Sequence, residues 1–161
     1  MKGGVGCGHA NNETVSASAI VVTNALGDVR DANGAIIAGA RTANGAFADG
    51  EKVLRTSSPN VAARGNTTIA LVAVSASLTK VQLAQIAAAT SAAFFRRITP
   101  CGTSFDGDVI FAACPPTGSD APMPVVEALA VAAMERAIER SVRAARGRDG
   151  IPGLGDANAA G

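Results

Sequence analysis

The chain has 161 residues, 48% of them hydrophobic, and a formal net charge of +1, which fits one folded domain with an aliphatic core. Basic residues do not interleave with aromatic ones, so the composition argues against nucleic-acid binding. Cys7, Cys101 and Cys114 are odd in number and widely spaced, and His9 is the single histidine. This pattern argues against a disulfide framework or a zinc site, and we expect no cofactor and no metal.

The N-terminal segment gives no sign of a membrane or secretion signal. No apolar stretch reaches ~18 residues, the length of a membrane-spanning helix. The stretch MKGGVGCGHANNET lacks the apolar centre of a signal peptide. We therefore expect no membrane partner and a cytoplasmic protein. Its glycine-rich, abrupt start is more typical of the interior of a longer protein than of a domain start.

The first part of the chain predicts two strands and a long loop. Residues 17–24 (ASAIVVTN) predict a short buried strand, and residues 34–38 predict a weaker one after the Asn33-Gly34 turn signal. Residues 39–66 are rich in Gly, Asn, Asp, Arg and Ser. A loop of this length inside a compact domain is uncommon, and it is usually functional or flexible.

The next segment predicts a strand and a helix. Residues 68–76 (TIALVAVSA) are a continuous apolar run and predict a buried strand. Thr79 and Gln82 have the spacing of a capping box at a helix start. Pro100 stops that helix.

The last part predicts a strand, a helix and a tail. Residues 108–114 (DVIFAAC) predict a third strand, and residues 120–146 predict a second helix with an alanine-rich apolar stripe. Glu139 and Arg143 have the i,i+4 spacing of a helical ion pair. Residues 147–161 are rich in Gly and Pro and predict a disordered tail. The order of elements predicts an α/β fold in which helices cover a mostly buried sheet.

The stretch GNTTIALV, residues 65–72, places two threonines at the start of a strand. One interpretation is turn chemistry, since Gly65 and Asn66 suit a loop and threonine suits a strand. The other is a nucleophile. A threonine hydroxyl needs a base, and an α-amino group on the same residue, with a pKa of about 8, supplies one once the preceding peptide bond is cut.

The stretch FDGDVIF, residues 105–111, brackets a glycine with Asp106 and Asp108 at the start of a strand. Paired acids can share a proton or orient a hydroxyl or ammonium group. An ordinary loop with a strand cap is the favoured interpretation of this stretch by itself. A calcium loop would need downstream ligands that are missing.

Asn24 ends the strand in VVTNALGDV, residues 21–29. An asparagine amide at a strand end can donate into an oxyanion hole. An asparagine in a turn is the simpler interpretation of this residue by itself.

Together these stretches resemble a known family in sequence order. KGGVGCGHA, VSASAIVVTNALGDV, GNTTIALVAVSASLTKVQLAQIAAAT and FDGDVIFAAC resemble the second half of the P1 family peptidases, the DmpA-like L-aminopeptidase/D-esterases and β-peptidyl aminopeptidases. The resemblance runs from Lys2 to about Arg143. It implies part of a four-layer αββα sandwich, similar in shape to the N-terminal nucleophile hydrolases.

The resemblance also implies self-processing and assigns roles. The matching autocleavage bond is Asn66–Thr67, and Thr67 matches the nucleophile. Asn24 falls where the family has an oxyanion-stabilising asparagine, and Asp106 and Asp108 fall where it has groups that support the nucleophile. The implied substrates are small peptides, amino-acid amides or esters, from which an N-terminal amino acid is released.

Against the family, the chain lacks the N-terminal half. Residues 1–66 then correspond to the end of the segment before the cut, residues 67–146 to the nucleophile-bearing segment and residues 147–161 to the tail, all in one domain. The implied partners are further copies in a homo-oligomer or the missing N-terminal half. Ser75 also stands where the family commonly has an aspartate.

Two alternatives stay open at this point. The chain is an inactive or incomplete fragment that acts only as a structural or oligomerising piece, or it is a threonine-nucleophile acyltransferase on a related fold. The glycine-rich, methionine-containing motif expected around an acyltransferase nucleophile is missing from the sequence.

Overall fold

The structure is a computed structural model that describes residues 3–56 and 66–159. Its helices are α1 (Gly50–Thr56), α2 (Lys80–Arg97) and α3 (Met123–Arg143), followed by a short 3-10 helix (Leu154–Ala159). Its strands are β1 (Val5–Asn11), β2 (Ser16–Val22), β3 (Asp28–Arg30), β4 (Ile36–Ala38), β5 (Ile69–Val74), β6 (Ile98–Thr99) and β7 (Val109–Ala113).

The main sheet has the strand order β1-β2-β5-β7. Its first three strands pair antiparallel, whereas β7 lies parallel to β5. A parallel pair needs a long crossover connection, and here α2 lies in the chain between the two strands. A smaller sheet has the order β4-β3-β6.

One face of the main sheet packs under α2 and α3. Its strands alternate between buried and exposed residues, as the two-residue period of a strand requires. α3 presents a stripe of buried residues at helical spacing, including Val126, Ala130, Ala133 and Ala137. The core therefore lies between one sheet face and one layer of helices.

Small residues allow α3 to approach β1 closely. A Cβ atom added at Gly6 would lie 2.1 Å from the main-chain oxygen of Ala137, and one at Gly8 would lie 1.9 Å from that of Ala133. Any side chain here would push the helix away from the strand. The glycine-rich N-terminal segment is thus a packing surface, and this is why β1 lacks the apolar pattern that predicts a strand.

The opposite face of the main sheet is apolar and exposed. Its strand neighbours pair in register, so their side chains form one continuous surface. Seven large apolar residues on it are between 37% and 57% exposed. They are Val5, Ile20, Val22, Ile69, Leu71, Val109 and Phe111. The main sheet and the helices packed on it thus form one sheet layer and one helical layer, which is half of a four-layer sandwich.

The predicted strands at 17–24, 34–38, 68–76 and 108–114 correspond to β2, β4, β5 and β7, and the predicted helices correspond to α2 and α3. The capping box at Thr79 and Gln82 is confirmed, with both reciprocal bonds formed. The Glu139–Arg143 ion pair is confirmed at 2.8 Å. No described helix is long and apolar enough to cross a membrane.

The structure differs from the sequence prediction in two loop regions. Residues 39–66 were predicted as a loop, but α1 forms within them, while residues 57–65 lie outside the described part. The buried carboxylate of Asp28 accepts the Gly50 N–H at 2.7 Å and the Ala40 N–H at 3.2 Å. These bonds tie both ends of the 40–50 segment to β3.

The C-terminal residues also differ from the prediction of a disordered tail. In the described part, Asp156 accepts hydrogen bonds from the N–H groups of Gly147 and Gly153. Gly155 donates to the carbonyl of Ala145 at 2.9 Å. These local bonds fold the Gly-rich segment back onto the end of α3.

Candidate active site

Three segments meet where β5 begins. β2 runs antiparallel to β5, so the residues after β2 lie next to those before β5. β7 runs parallel to β5, so the residues before these two strands also lie side by side. Asn24, the pair Asn66 and Thr67, and the pair Asp106 and Asp108 therefore converge at one end of the sheet.

Thr67 is held through both its main chain and its hydroxyl. Its N–H donates to the main-chain carbonyl of Asn24 at 2.9 Å. Its Oγ1 donates to the carbonyl oxygen of Asn66 at 2.7 Å. Thr67 is partly exposed, whereas Thr68 is fully buried. Of the two threonines, Thr67 is the one whose hydroxyl lies at the Asn66–Thr67 peptide bond.

Asp108 fixes the start of β5. Its Oδ1 accepts the N–H of Thr68 at 2.6 Å. Partial burial raises the pKa of Asp108 above its ordinary value, the Thr68 N–H opposes this by stabilising the carboxylate, and the negative charge of Asp106 raises it further. The net effect is a pKa of Asp108 above its ordinary value.

Asp106 organises the loop before β7. Its Oδ2 accepts hydrogen bonds from the N–H of Thr103 at 2.8 Å and from the hydroxyl of Thr103 at 2.9 Å. Its backbone forms a parallel bridge with Asn66. Asp106 thus holds the loop against the residue that precedes Thr67.

A thiol that the sequence analysis did not assign to the site lies beside Asp108. Cys101 Sγ donates to Asp108 Oδ2 at 3.6 Å. Burial, followed by the negative charge of Asp108, raises the pKa of Cys101 to about 12. Cys101 is therefore a neutral thiol at physiological pH, not a nucleophile.

A cavity of about 300 Å³ opens next to Cys101 and Asp108. Most of its lining is apolar and comes from α2 and the start of β7. The lining residues are Ala87, Ala88, Ser91, Phe94, Phe95, Cys101, Gly102, Asp108 and Ile110. The cavity lies on the side of the main sheet that faces the helices, and the buried Thr68 lies on the same side.

Gly107 also contacts the site, a contact that sequence reasoning did not assign. Its N–H donates to the carbonyl oxygen of Asn66 at 3.2 Å. A glycine between two aspartates was the available signal, but only the strand register shows which carbonyl its amide meets. Cys101 had no comparable signal, because its neighbour Asp108 is seven residues away in sequence.

The structure brings all five sequence-predicted residues together. The hydrogen-bond partners of these residues, however, were not predicted from the sequence. The carboxylates of Asp106 and Asp108 accept from Thr103 and Thr68, respectively, and the contact that joins Asn24 to Thr67 is a main-chain one. Within residues 3–56 and 66–159 no group of three His, Cys, Asp or Glu side chains is arranged to hold a metal ion.

Solved structures with a similar fold include three proteins of about twice this length. The PH0078 protein of Pyrococcus horikoshii OT3 has a TM-score of 0.67 and 20% identity, over 98% of this chain and 46% of that one. The L-aminopeptidase D-Ala-esterase/amidase of Ochrobactrum anthropi, whose fold is described as a variant of the Ntn hydrolase fold, has a TM-score of 0.62 and 22% identity, over 93% and 42%. A Burkholderia sp. beta-aminopeptidase has a TM-score of 0.62 and 17% identity, over 96% and 45%.

These likenesses confirm the fold class that the sequence resemblance implied. The chain spans less than half the length of each of these three structures. No curated protein matches the chain significantly. The model of peptidase family S58 matches residues 1–154, which is nearly all of the sequence, and the chain therefore belongs to that peptidase family.

Proposed function

We propose that this chain carries the self-processing and nucleophilic centre of an aminopeptidase that releases N-terminal amino acids from small peptides, amides or esters. Membership of peptidase family S58 supports hydrolysis of a peptide bond. The nucleophile is Thr67, which becomes an N-terminal residue when the Asn66–Thr67 bond is cut.

The hydrogen bond between Thr67 Oγ1 and the Asn66 carbonyl oxygen carries this proposal. A hydroxyl that attacks the carbonyl of its own preceding residue needs to lie against that carbonyl, and this one lies 2.7 Å from its oxygen. Thr68, by contrast, is fully buried under the helices. The geometry therefore favours Thr67 over its neighbour as the nucleophile.

After cleavage, the amine of Thr67 acts as the base for its own hydroxyl. The main-chain carbonyl of Asn24 already accepts the Thr67 N–H at 2.9 Å. It would continue to accept one N–H of the free amine, which orients the lone pair toward the hydroxyl. The side-chain amide of Asn24 is proposed to donate to the oxyanion of the substrate.

The two aspartates act as positioning residues. Asp108 holds the Thr68 N–H and Asp106 holds the Thr103 loop. Asp108 bonds to the residue after Thr67, and the backbone of Asp106 pairs with Asn66, the residue before Thr67. We expect either substitution to misplace Thr67 without removing a proton-transfer group.

The intact mass of the purified chain tests the proposal. Two fragments split between Asn66 and Thr67 are expected for the parent chain and for Thr67→Ser, and a single uncut mass is expected for Thr67→Ala. Thr68→Val is the matched control and should cleave like the parent, because it changes the neighbouring buried residue only. Cleavage in Thr67→Ala, or a cut on the other side of Thr67, would refute the assignment.

A screen of aminoacyl amides and esters then tests turnover by the cleaved chain. Release of the amine or alcohol by the parent, and its loss in Thr67→Ala, would support the aminopeptidase function. A chain that cleaves itself but turns over none of these substrates would limit the proposal to self-processing.

A second candidate function is that of a structural piece without catalysis of its own. The observation that favours it is the exposed apolar sheet face, because a contiguous face of this kind marks an interaction surface. In this interpretation the exposed face packs against a second sheet, and the role of the chain is to supply that packing surface. An uncut parent chain that associates through this face would favour the second candidate over the first.

A further inference from the structure

The Asn66–Thr67 peptide bond lies between two parallel segments that are joined by main-chain hydrogen bonds. The Gly107 N–H donates to the Asn66 carbonyl at 3.2 Å, and two residues further along the Val109 N–H donates to the Thr68 carbonyl at 3.0 Å. The Asn66 oxygen therefore has two donors, the Gly107 amide and the Thr67 hydroxyl.

We propose that the main-chain N–H of Gly107 stabilises the oxyanion that forms on the Asn66 carbonyl oxygen during self-cleavage, and is thus a catalytic group for that step. The inference rests on the proposed self-processing at Thr67. It assigns a specific donor to a step for which the sequence suggested none.

The two donors behave differently when the bond breaks. Thr67 Oγ1 forms a bond to the Asn66 carbonyl carbon, the bond from that carbon to the Thr67 nitrogen breaks, and the hydroxyl proton ends on that nitrogen. The product is an ester with a free amine, and one water then splits the ester into the Asn66 carboxylate and the Thr67 hydroxyl, while the released proton goes to the Thr67 amine. Once Oγ1 attacks carbon it no longer donates to the oxygen, so the Gly107 N–H is the donor that stays in place.

The ladder makes this donor preorganised. The Asn66–Asp106 bridge lies immediately before Gly107, and the bond from Thr68 N–H to Asp108 lies immediately after it. The amide therefore needs no rearrangement when charge develops on the oxygen, which is the condition under which a hydrogen-bond donor lowers a barrier most.

Position 107 has no room for a side chain beside the Thr67 hydroxyl. A Cβ atom there would lie 2.8 Å from Thr67 Oγ1 and 3.8 Å from the Asn66 oxygen. Gly107 is not among the glycines with positive φ, so the requirement is for space and not for an unusual backbone conformation. Any larger residue would press on the attacking hydroxyl.

Replacing single amides by esters tests the proposal. Translation of the full chain with glycolic acid at position 107 removes the N–H that faces Asn66. The matched control carries the hydroxy acid analogue of valine at position 109, which removes the next N–H of the same ladder. Intact mass at timed intervals gives the cleavage rate, and circular dichroism with thermal melting checks that both chains fold.

The glycolic acid chain is expected to cleave at least about 100-fold more slowly than the parent, the effect typical of losing one oxyanion donor. The position-109 ester should stay within about 3-fold of the parent while losing similar thermal stability. Equal slowing by both esters, or none by either, would overturn the role of Gly107 and leave self-processing at Thr67 intact. An uncut parent chain would instead refute the self-processing on which the proposal rests.

A second measurement stays informative if either ester chain does not fold. In the uncleavable Thr67→Ala variant, nuclear magnetic resonance should detect a scalar coupling across the hydrogen bond from the Gly107 nitrogen to the Asn66 carbonyl carbon. Detection of the coupling from Val109 to Thr68 without the one from Gly107 to Asn66 would overturn the proposal.

Discussion

Asp108 accepts a 2.6 Å hydrogen bond from the main-chain N–H of Thr68, the residue that follows the proposed nucleophile. The carboxylate therefore holds the strand that carries the nucleophile and not the nucleophile itself. Its partial burial, together with the charge of Asp106, also raises its pKa. These two properties lead to a prediction about the dependence of stability on pH.

The pKa of Asp108 in the folded chain lies above the ordinary aspartate value of 3.8. The folded chain therefore binds a proton at Asp108 more tightly than the unfolded chain does. The contribution of Asp108 to stability is then fully present below pH 3.8 and is lost as the pH rises through the raised value. Asp108→Asn should flatten this dependence. Urea unfolding of both chains between pH 3 and 7 measures it, and parallel curves for the two chains would contradict the prediction.

Cys101 is expected to react slowly with alkylating reagents. With a pKa of about 12, roughly one thiol in 10⁴ is ionised at pH 8, and the thiolate is the reactive form. Peptide mapping after timed treatment with iodoacetamide should show Cys7, which is exposed, modified at least about 100-fold faster. Asp108→Asn should speed the reaction of Cys101, since it removes a neighbouring negative charge. Comparable rates at Cys7 and Cys101 in the parent would contradict this account.

Glu135 joins α2 to α3 through a partly buried ion pair. It contacts Arg97 at 2.9 Å, and the two side chains are 17% and 12% exposed. Glu135→Gln should lower the free energy of unfolding by about 2 kcal/mol, because it leaves a mostly buried guanidinium without a counter-charge. Glu139→Gln is the control, as its i,i+4 pair with the half-exposed Arg143 should contribute at most ~0.5 kcal/mol. If urea unfolding shows the same loss of stability for Glu135→Gln and Glu139→Gln, burial does not make the Glu135–Arg97 pair contribute more to stability than the exposed pair.

The contact between β1 and α3 should tolerate no side chain at Gly8. A Cβ atom there would lie 1.9 Å from a main-chain oxygen of the helix, so Gly8→Ala should lower the free energy of unfolding by about 3 kcal/mol or prevent folding. Gly34 serves as the control, because it has open space around it and a φ of +83°. Gly34→Asn should change the stability by about 0.5 kcal/mol or less, since asparagine adopts positive φ readily. A stable Gly8→Ala chain in thermal unfolding would argue against this packing.

The open sheet face should make the chain associate with itself. Phe111 lies on it and is 57% exposed, so Phe111→Ser should shift sedimentation velocity profiles toward the monomer. Val81 is 79% exposed on α2, away from that face, and Val81→Ser should leave the profile unchanged. A parent chain that sediments as a monomer at all concentrations would contradict the expectation.

The sequence by itself determined the secondary structure wherever local chemistry decides it. The apolar runs of β2, β5 and β7 and the capping box at Thr79 were readable, because alternation and caps depend on neighbours along the chain. The resemblance of four ordered segments predicted the peptidase family and the fold class, which the family model and the solved structures confirm. The catalytic roles assigned to Thr67 and Asn24 remain predictions.

Tertiary structure decided what depends on distant parts of the chain. β1 was not predicted from the sequence, because its glycines are required by the close packing of α3, which lies more than a hundred residues later in the chain. The partner of Asp108, and the amide that meets the Asn66 carbonyl, follow from the register between β5 and β7. Strand register is set by pairing and packing across the sheet, so the sequence around position 107 could show a glycine between two acids but not which bond it faces.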